Sequence, residues 1–252
     1  MRDDVIQREA AFGDAHYAKF AGDLGINPRM FRKYAEPRSV WDPRDFGARC
    51  LGNVAGKELL DLGCGMGEEA TYFAKLGARV TAIDVSPVGV ELTRKRAEFN
   101  GVAERVRAMV MSADPTGFAD ESFDIVHGYG ILHHIGLKRS LPEVRRLLRP
   151  GGRGLFTEHL GDSLFVERLK GRIYGREADY TEHELPLRWA ELEEGRSQFR
   201  LFECSPYYLL SRVRKLLPSS LRDPARRIDH TVLKVLPFLR HYAGLVVIYL
   251  EK

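Results

Sequence analysis

Three glycines at alternate positions form a turn that can receive a ligand. Gly63, Gly65 and Gly67 follow the mostly apolar run Leu59–Leu62, and glycine lets a ligand approach the backbone where a side chain would collide with it. A dinucleotide-binding loop would follow GxGxxG and place its third glycine at position 68, which is glutamate here. Because Glu68 begins the predicted helix, its charge would repel a pyrophosphate. The loop therefore predicts a ligand without phosphate at this point.

Acidic residues close three successive predicted strands. Asp61, just before the glycine turn, suits a cationic ligand. Asp84 ends the second predicted strand 21 residues after Gly63, where a carboxylate can accept hydrogen bonds from both hydroxyls of a ribose. Asp114, in the sequence Ser-Ala-Asp after the third strand, can bind an adenine amino group. A ribose, an adenine and a cationic tail without phosphates describe S-adenosylmethionine.

Two adjacent histidines are the candidates for acid–base chemistry. His133 and His134 follow the fourth predicted strand, and Glu158 and His159 end the fifth. An imidazole can take a proton from an alcohol or phenol, and we expect one of the two histidines, His133 in first place, to do so. Glu158 would orient that base or contact the acceptor. The alternative for each of these side chains is a hydrogen bond that only supports the fold.

Alternating elements must position these residues. Short aliphatic or β-branched runs alternate with longer segments of helical spacing, which predicts parallel βα units. Ser86-Pro87 predicts a helix start, Ser140 to Glu143 has the spacing of a capping box, and Arg149 to Gly152 should end that helix. The predicted strands are Glu58–Asp61, Arg79–Asp84, Val106–Met111, Phe123–His127, Arg153–Glu158, Phe199–Cys204 and Leu245–Leu250.

Two segments lie outside the alternation. Residues 1–50 look helical and polar, and residues 160–195 are longer than a plain crossover requires. Extra segments over the carboxyl ends of strands tend to form a lid or a substrate pocket. In the first segment Tyr17 and Tyr34 could cover the cofactor, because a sulfonium favours an aromatic face. In the second, the candidates for lining the acceptor pocket are Arg172, Tyr174, Arg176 and Tyr180.

Taken together, the motifs resemble the class I S-adenosylmethionine-dependent methyltransferases, in their small-molecule, type 11-like branch. The matching stretches are Leu59–Gly67, Val80–Ser86, Phe123–Ile135 and Leu148–Phe156, and the resemblance covers about residues 55–160. It implies an α/β fold with a Rossmann-like, doubly wound sheet of seven strands whose last strand is antiparallel. We expect an N-terminal helical lid over residues 1–50, a methyltransferase domain over residues 51–252, and a helical insert at 160–195.

The resemblance also implies roles for single residues. It places a histidine beside the methyl acceptor, so His133, His134 and Glu158 are the predicted catalytic residues. Metal-dependent, catechol-type members would be expected to carry an aspartate at the end of the fourth strand, where this chain has His127, so we predict no metal. The predicted cofactor contacts are Tyr17, Asp61, Gly63, Cys64, Gly65, Gly67, Asp84, Val85, Ala113, Asp114, Gly128 and Tyr129.

Composition and charge limit the cellular compartment and the partners to be expected. The cysteines Cys50, Cys64 and Cys204 form no CxxC pair, which favours a reducing compartment. The net charge of +4 divides unevenly, with −3 over residues 1–195 and +7 over residues 196–252. Apolar and basic positions mix in the C-terminal helices, which could dock on an anionic membrane or a lipid-linked substrate. We expect a cytoplasmic protein that lies at most peripherally on a membrane.

Methyl transfer to a small or lipid-linked acceptor is the predicted function, at oxygen rather than nitrogen because the histidines offer a base. An N-methyltransferase and an RNA methyltransferase are the alternatives among enzymes. Nucleic acid is not expected, because the fourth-strand region lacks the Asn/Asp-Pro-Pro-Tyr/Phe signature and no appended RNA-binding module is visible. A regulatory protein that retains the cofactor site without turnover is the alternative from another class.

Overall fold

One mixed sheet of seven strands, in the order β3-β2-β1-β4-β5-β7-β6, organises the chain. This computed structural model describes residues 2–20, 22–161, 186–209 and 217–252. The strands are β1 (Glu58–Leu62), β2 (Arg79–Asp84), β3 (Val106–Val110), β4 (Phe123–Tyr129), β5 (Leu148–His159), β6 (Leu201–Tyr207) and β7 (Leu245–Glu251). All seven predicted strands are confirmed, and β7 is antiparallel to both of its neighbours, β5 and β6.

Helices connect the strands and precede the first of them. They are α1 (Arg2–Tyr17), α2 (Pro28–Ala35), α3 (Pro43–Leu51), α4 (Glu68–Lys75), α5 (Pro87–Phe99), α6 (Leu132–Ile135), α7 (Leu137–Leu147), α8 (Trp189–Gly195) and α9 (Ser219–Val235). The predicted start of α5 is confirmed, because Ser86 is its N-cap and Ser86 Oγ accepts the N–H of Gly89 at 3.0 Å. None of the helices in the described ranges is long and apolar enough to cross a membrane.

The predicted capping box at Ser140 is wrong. Helix α7 begins at Leu137, one turn earlier, and contains this segment in its interior. Ser140 Oγ donates to the carbonyl of Gly136 at 3.1 Å, and Glu143 bonds Thr116 and Arg146 instead of a helix terminus. Spacing alone could not reveal the bond to Thr116, which is 27 residues away in the chain.

Alternation along the central strands divides the core between the two faces of the sheet. Leu60 and Phe156 belong to the cluster that α7 and α8 cover. Leu59 and Leu155 belong to the cluster on the other face, where Leu51 of α3 and the aromatic side chains of α4 also lie. Helices on both faces are the doubly wound arrangement that the sequence predicts.

The helices of the N-terminal segment pack in different places. Helix α3 packs on β5 and β7, and Tyr34 of α2 is buried against Tyr72 and Phe73 of α4. Tyr34 is therefore a core residue and not a cover for the cofactor. Helix α1 instead packs on α5. The proposed acceptor residues Arg172, Tyr174, Arg176 and Tyr180 lie outside the described residues.

Candidate active site

The glycine turn lies where the strand order reverses. Strand β1 pairs with β2 on one side and with β4 on the other, and such a switch point opens a crevice at the carboxyl ends of the strands. Gly63, Gly65 and Gly67 all have positive φ, at 66°, 50° and 76°, which side chains rarely adopt. A Cβ atom at Gly67 would lie 2.8 Å from Thr93 Cα, so this glycine also permits close packing of α4 against α5.

Asp84 joins the two loops of this crevice. One carboxylate oxygen accepts the N–H of Gly65 at 2.9 Å, and the other accepts the N–H of Ser86 at 2.8 Å. Burial raises the pKa of Asp84, and these two backbone hydrogen bonds oppose the rise. Each carboxylate oxygen has two acceptor sites, so Asp84 can accept further hydrogen bonds from a ligand beside the turn.

Asp61 has a partner that the sequence analysis missed. Its Oδ1 lies 2.7 Å from His127 Nδ1, because the register of β1 and β4 places the two residues side by side. Both side chains are buried, and the ring of Phe73 packs edge-on against His127 at 4.9 Å. Burial raises the pKa of Asp61, and the hydrogen bond to His127 opposes the rise. Asp61 therefore lies under the glycine turn rather than in open contact with a ligand.

The loop after β3 carries Ala113 and Asp114. Asp114 Oδ2 lies 3.0 Å from Arg139 Nε, and Ala113 is buried. The loop is held at Thr116, whose N–H and hydroxyl both donate to Glu143 Oε1, at 2.8 and 2.7 Å. Glu143 of α7 therefore fixes the segment that the sequence assigns to the adenine.

His133 and Glu158 form a buried pair at the ends of β4 and β5. His133 Nδ1 lies 2.7 Å from Glu158 Oε2, and Glu158 Oε1 accepts the N–H groups of Ile131 and Leu132 at 2.9 and 2.8 Å. Glu158 is fully buried. An ionised carboxylate only accepts hydrogen bonds, so Nδ1 carries the proton and Nε2 keeps its lone pair. This is the arrangement of a base held by a second group.

His134 faces helix α1 instead. Its Nδ1 lies 3.1 Å from Glu9 Oε2, and its ring lies 4.3 Å from that of His133. Asp14 of α1 accepts hydrogen bonds from the Ser86 hydroxyl and from the N–H of Val88. These contacts hold α1 over the crevice, and they could not be predicted from the sequence because they join residues far apart in the chain.

Tyr17, at the end of α1, reaches the glycine turn. A Cβ atom at Gly65 would lie 3.3 Å from the Tyr17 hydroxyl, and one at Gly89 would lie 3.0 Å from its ring. Tyr129 ends β4 half-exposed, with the guanidinium of Arg44 5.0 Å above its ring.

The other predicted contacts are less open. Gly128 lies beneath Ile131, whose Cγ2 would be 2.6 Å from an added Cβ atom. Val85 is half-buried between Asp84 and Ser86. Burial raises the pKa of the Cys64 thiol, so this cysteine is a packing residue of the turn rather than a nucleophile. Within the described residues no group of three or more metal-ligating side chains converges.

Comparison with known proteins agrees with this geometry. Residues 60–156 match the family model described as a methyltransferase domain. The O-methyltransferase rstn1 of Aspergillus nomiae is 37% identical over 112 residues, which are 44% of this chain and 49% of that protein. The ubiquinone biosynthesis O-methyltransferase of Methylocella silvestris is 36% identical over 128 residues, 49% of this chain and 45% of that protein. The chain thus spans about half the length of these curated relatives.

A solved structure extends the likeness in fold. Phosphoethanolamine N-methyltransferase 2 of Haemonchus contortus, in complex with S-adenosyl-L-methionine, superposes with a TM-score of 0.58 at 21% identity, covering 81% of this chain and 50% of that one. The predicted fold, family and cofactor are confirmed. Residues 60–156 therefore belong, as a methyltransferase domain, to the class I S-adenosylmethionine-dependent family.

Proposed function

We propose that this chain methylates a hydroxyl oxygen of a small-molecule acceptor, with His133 as the general base and Glu158 as the group that orients it. The observation that carries the proposal is the 2.7 Å contact between His133 Nδ1 and Glu158 Oε2. It lies at the carboxyl edge of the sheet, beside the glycine turn. A base is needed for an alcohol or phenol, whereas an amine arrives with its lone pair free.

The described residues fit S-adenosylmethionine. Asp84 retains acceptor sites for the ribose hydroxyls, and Gly65 leaves bare backbone beneath Tyr17. When bound, the cofactor supplies a methyl group that its sulfonium already activates. The work left to the protein is to hold the acceptor, exclude water and take its proton.

Glu158 controls where that proton can go. Because its carboxylate accepts from Nδ1, the lone pair of His133 is kept at Nε2, and the imidazolium formed on proton uptake is stabilised by the same carboxylate. The two backbone N–H groups on Oε1 keep the carboxylate from rotating. His133 takes the acceptor proton at Nε2.

The names of the relatives and the charge support one class of acceptor. Both curated relatives above are named O-methyltransferases, one of them in ubiquinone biosynthesis, which supports a phenolic or quinol-like hydroxyl. The net charge of +7 over residues 196–252 supports an anionic or lipid-linked acceptor. An amine acceptor that arrives with its lone pair free would leave the buried His133–Glu158 pair without a role in proton removal.

A transfer assay tests the proposal. The chain is incubated with S-adenosylmethionine labelled in the methyl group and with matched phenol, quinol and amine acceptors, and the product is analysed by NMR. The proposal predicts label on oxygen of a hydroxyl acceptor. Label found solely on nitrogen or carbon would contradict the assignment of His133 as a base for a hydroxyl, and calorimetry without binding of the demethylated cofactor would contradict the cofactor site itself.

A further inference from the structure

Large apolar side chains are exposed along one side of helix α9. Leu221, Ile228 and Val235 are 51%, 53% and 70% exposed. They recur every seven residues, and because a helix drifts only about 20° in that interval they follow one line. Phe238, 63% exposed, lies just beyond α9 in the 3₁₀ segment Pro237–Tyr242. We call these four residues the α9 stripe.

The opposite side of α9 is anchored. Asp229 is buried and accepts the N–H of Leu209 at 3.0 Å, and Leu233 is buried. Arg226 reaches Asp42, 3.0 Å away, and Arg227 stacks on Trp41 at 4.6 Å. The helix therefore has a fixed inner face, and the α9 stripe is presented outwards by the fold.

Basic residues flank the stripe. Arg227 and Lys234 each precede a stripe residue and are exposed, about 100° around the helix from it. The acidic residues of α9 are Asp229, which is buried, and Asp223, which is exposed and pairs with Arg226 at 3.1 Å. An apolar line beside basic side chains complements an anionic lipid surface.

The register of the sheet places this helix at the active-site edge. Strands β5 and β6 both run antiparallel to β7, and Glu158 and Pro206 both pair with Val246 from opposite sides. Strand β6 therefore ends level with Glu158. Leu209, which Asp229 of α9 binds, lies two residues beyond that end. The α9 stripe is thus attached to the same edge of the sheet as the proposed base.

We propose that the α9 stripe docks on the surface of an anionic lipid bilayer. The apolar side chains enter the boundary between headgroups and acyl chains, while Lys234 extends to the headgroups. A consequence, which rests on the proposed function, is that a lipid-linked acceptor reaches the carboxyl edge of the sheet directly from the bilayer.

Vesicle co-sedimentation with the full chain tests the docking surface. Phosphatidylcholine vesicles with and without phosphatidylglycerol are compared with the wild type, with Ile228→Ser/Val235→Ser, and with Lys234→Gln. The matched control is Phe99→Ser/Val110→Ser, which replaces apolar residues that are 68% and 54% exposed elsewhere. Circular dichroism establishes that each variant is folded.

The expected result is binding to anionic vesicles that weakens with salt. Ile228→Ser/Val235→Ser should bind about tenfold more weakly, Lys234→Gln should bind less tightly than the wild type, and the control should match the wild type. Equal binding of the stripe variant and the control, or no binding to anionic vesicles, overturns the proposal. A dimer that forms without lipid and is abolished by Ile228→Ser/Val235→Ser overturns it as well, in favour of a second copy of the chain.

The outcome of the docking test is independent of the outcome of the test of the proposed function. Vesicle binding is measured without turnover, and affinity for the demethylated cofactor is measured on the same samples by calorimetry. A chain that binds vesicles through the α9 stripe yet transfers no methyl group supports docking and contradicts the proposed reaction. A chain that methylates a water-soluble phenol but does not bind vesicles supports the proposed reaction and contradicts docking.

Discussion

His133 Nδ1 lies 2.7 Å from Glu158 Oε2, so one carboxylate fixes the tautomer of the proposed base. Glu158→Gln is expected to lower turnover by roughly 10²-fold or more, because an amide N–H facing Nδ1 would shift the imidazole proton to Nε2. Affinity for the demethylated cofactor should stay at the wild-type value, which calorimetry checks. Normal turnover in this variant would show that Glu158 does not select the tautomer.

Gly67 is expected to tolerate no side chain. Gly67→Ala combines the strain of positive φ with a contact of 2.8 Å between the new Cβ and Thr93 Cα, so both stability and cofactor affinity should fall. Gly101→Ala is the matched control, because Gly101 also has positive φ, at 70°, and no atom lies within 4 Å of an added Cβ. Urea unfolding should give a loss of about 1 kcal/mol for the control and a larger loss for Gly67→Ala. Equal losses would exclude the contact with Thr93 as the cause.

Tyr17 is expected to distinguish the charged cofactor from its neutral product. The ring lies against the glycine turn, and an aromatic face attracts a sulfonium but not a thioether. Tyr17→Leu should therefore weaken binding of S-adenosylmethionine more than binding of the demethylated cofactor, whereas Tyr17→Phe should preserve the ratio. Phe20→Leu serves as the control, since Phe20 lies in the same segment and is 44% exposed. An unchanged ratio in Tyr17→Leu would mean that the ring only packs on the turn.

Glu143 is expected to contribute to the unfolding free energy at neutral pH, and this contribution should be lost in acid. Burial alone would raise its pKa, but hydrogen bonds from Arg146 and Thr116 outweigh burial and lower the pKa to about 2. Because this pKa is lower in the folded than in the unfolded chain, the contribution is present above pH 4.5 and is lost as pH falls towards 2. The unfolding free energy of Glu143→Gln should therefore fall less steeply over this range than that of the wild type. Glu104→Gln, at an exposed glutamate, should follow the wild type. If Glu143→Gln also followed the wild type, the hydrogen bonds from Arg146 and Thr116 would not be the source of this stability.

The strands and the glycine turn could be predicted from the sequence because both produce local sequence patterns. Alternating aliphatic runs indicate strands, and the spacing of Gly63, Gly65 and Asp84 follows from one βαβ unit. The pairing of Asp61 with His127 was not predicted, since it depends on the register between two strands that are distant in the chain. The capping-box spacing at Ser140 gave a wrong prediction, because Glu143 bonds Arg146 one turn away and Thr116 across the fold.

The N-terminal contacts illustrate the same limit. Tyr17 and Tyr34 have similar sequence surroundings, yet Tyr17 lies on the glycine turn and Tyr34 is buried against Tyr72. The difference comes from where α1 and α2 dock. Asp14 fixes α1 to the start of α5, and aromatic packing fixes α2 to α4. Neither the sequence of α1 nor that of α2 contains a motif that identifies the helix on which it packs.

Removal of the base itself tests the central claim most directly. In the labelled-methyl assay with a hydroxyl acceptor, His133→Ala should lower turnover by roughly 10²- to 10⁴-fold, the contribution expected of a general base. Its affinity for the demethylated cofactor, measured by calorimetry, should equal that of the wild type. Transfer to oxygen at the wild-type rate in His133→Ala, with the cofactor still bound, would contradict the assignment of His133 as the base.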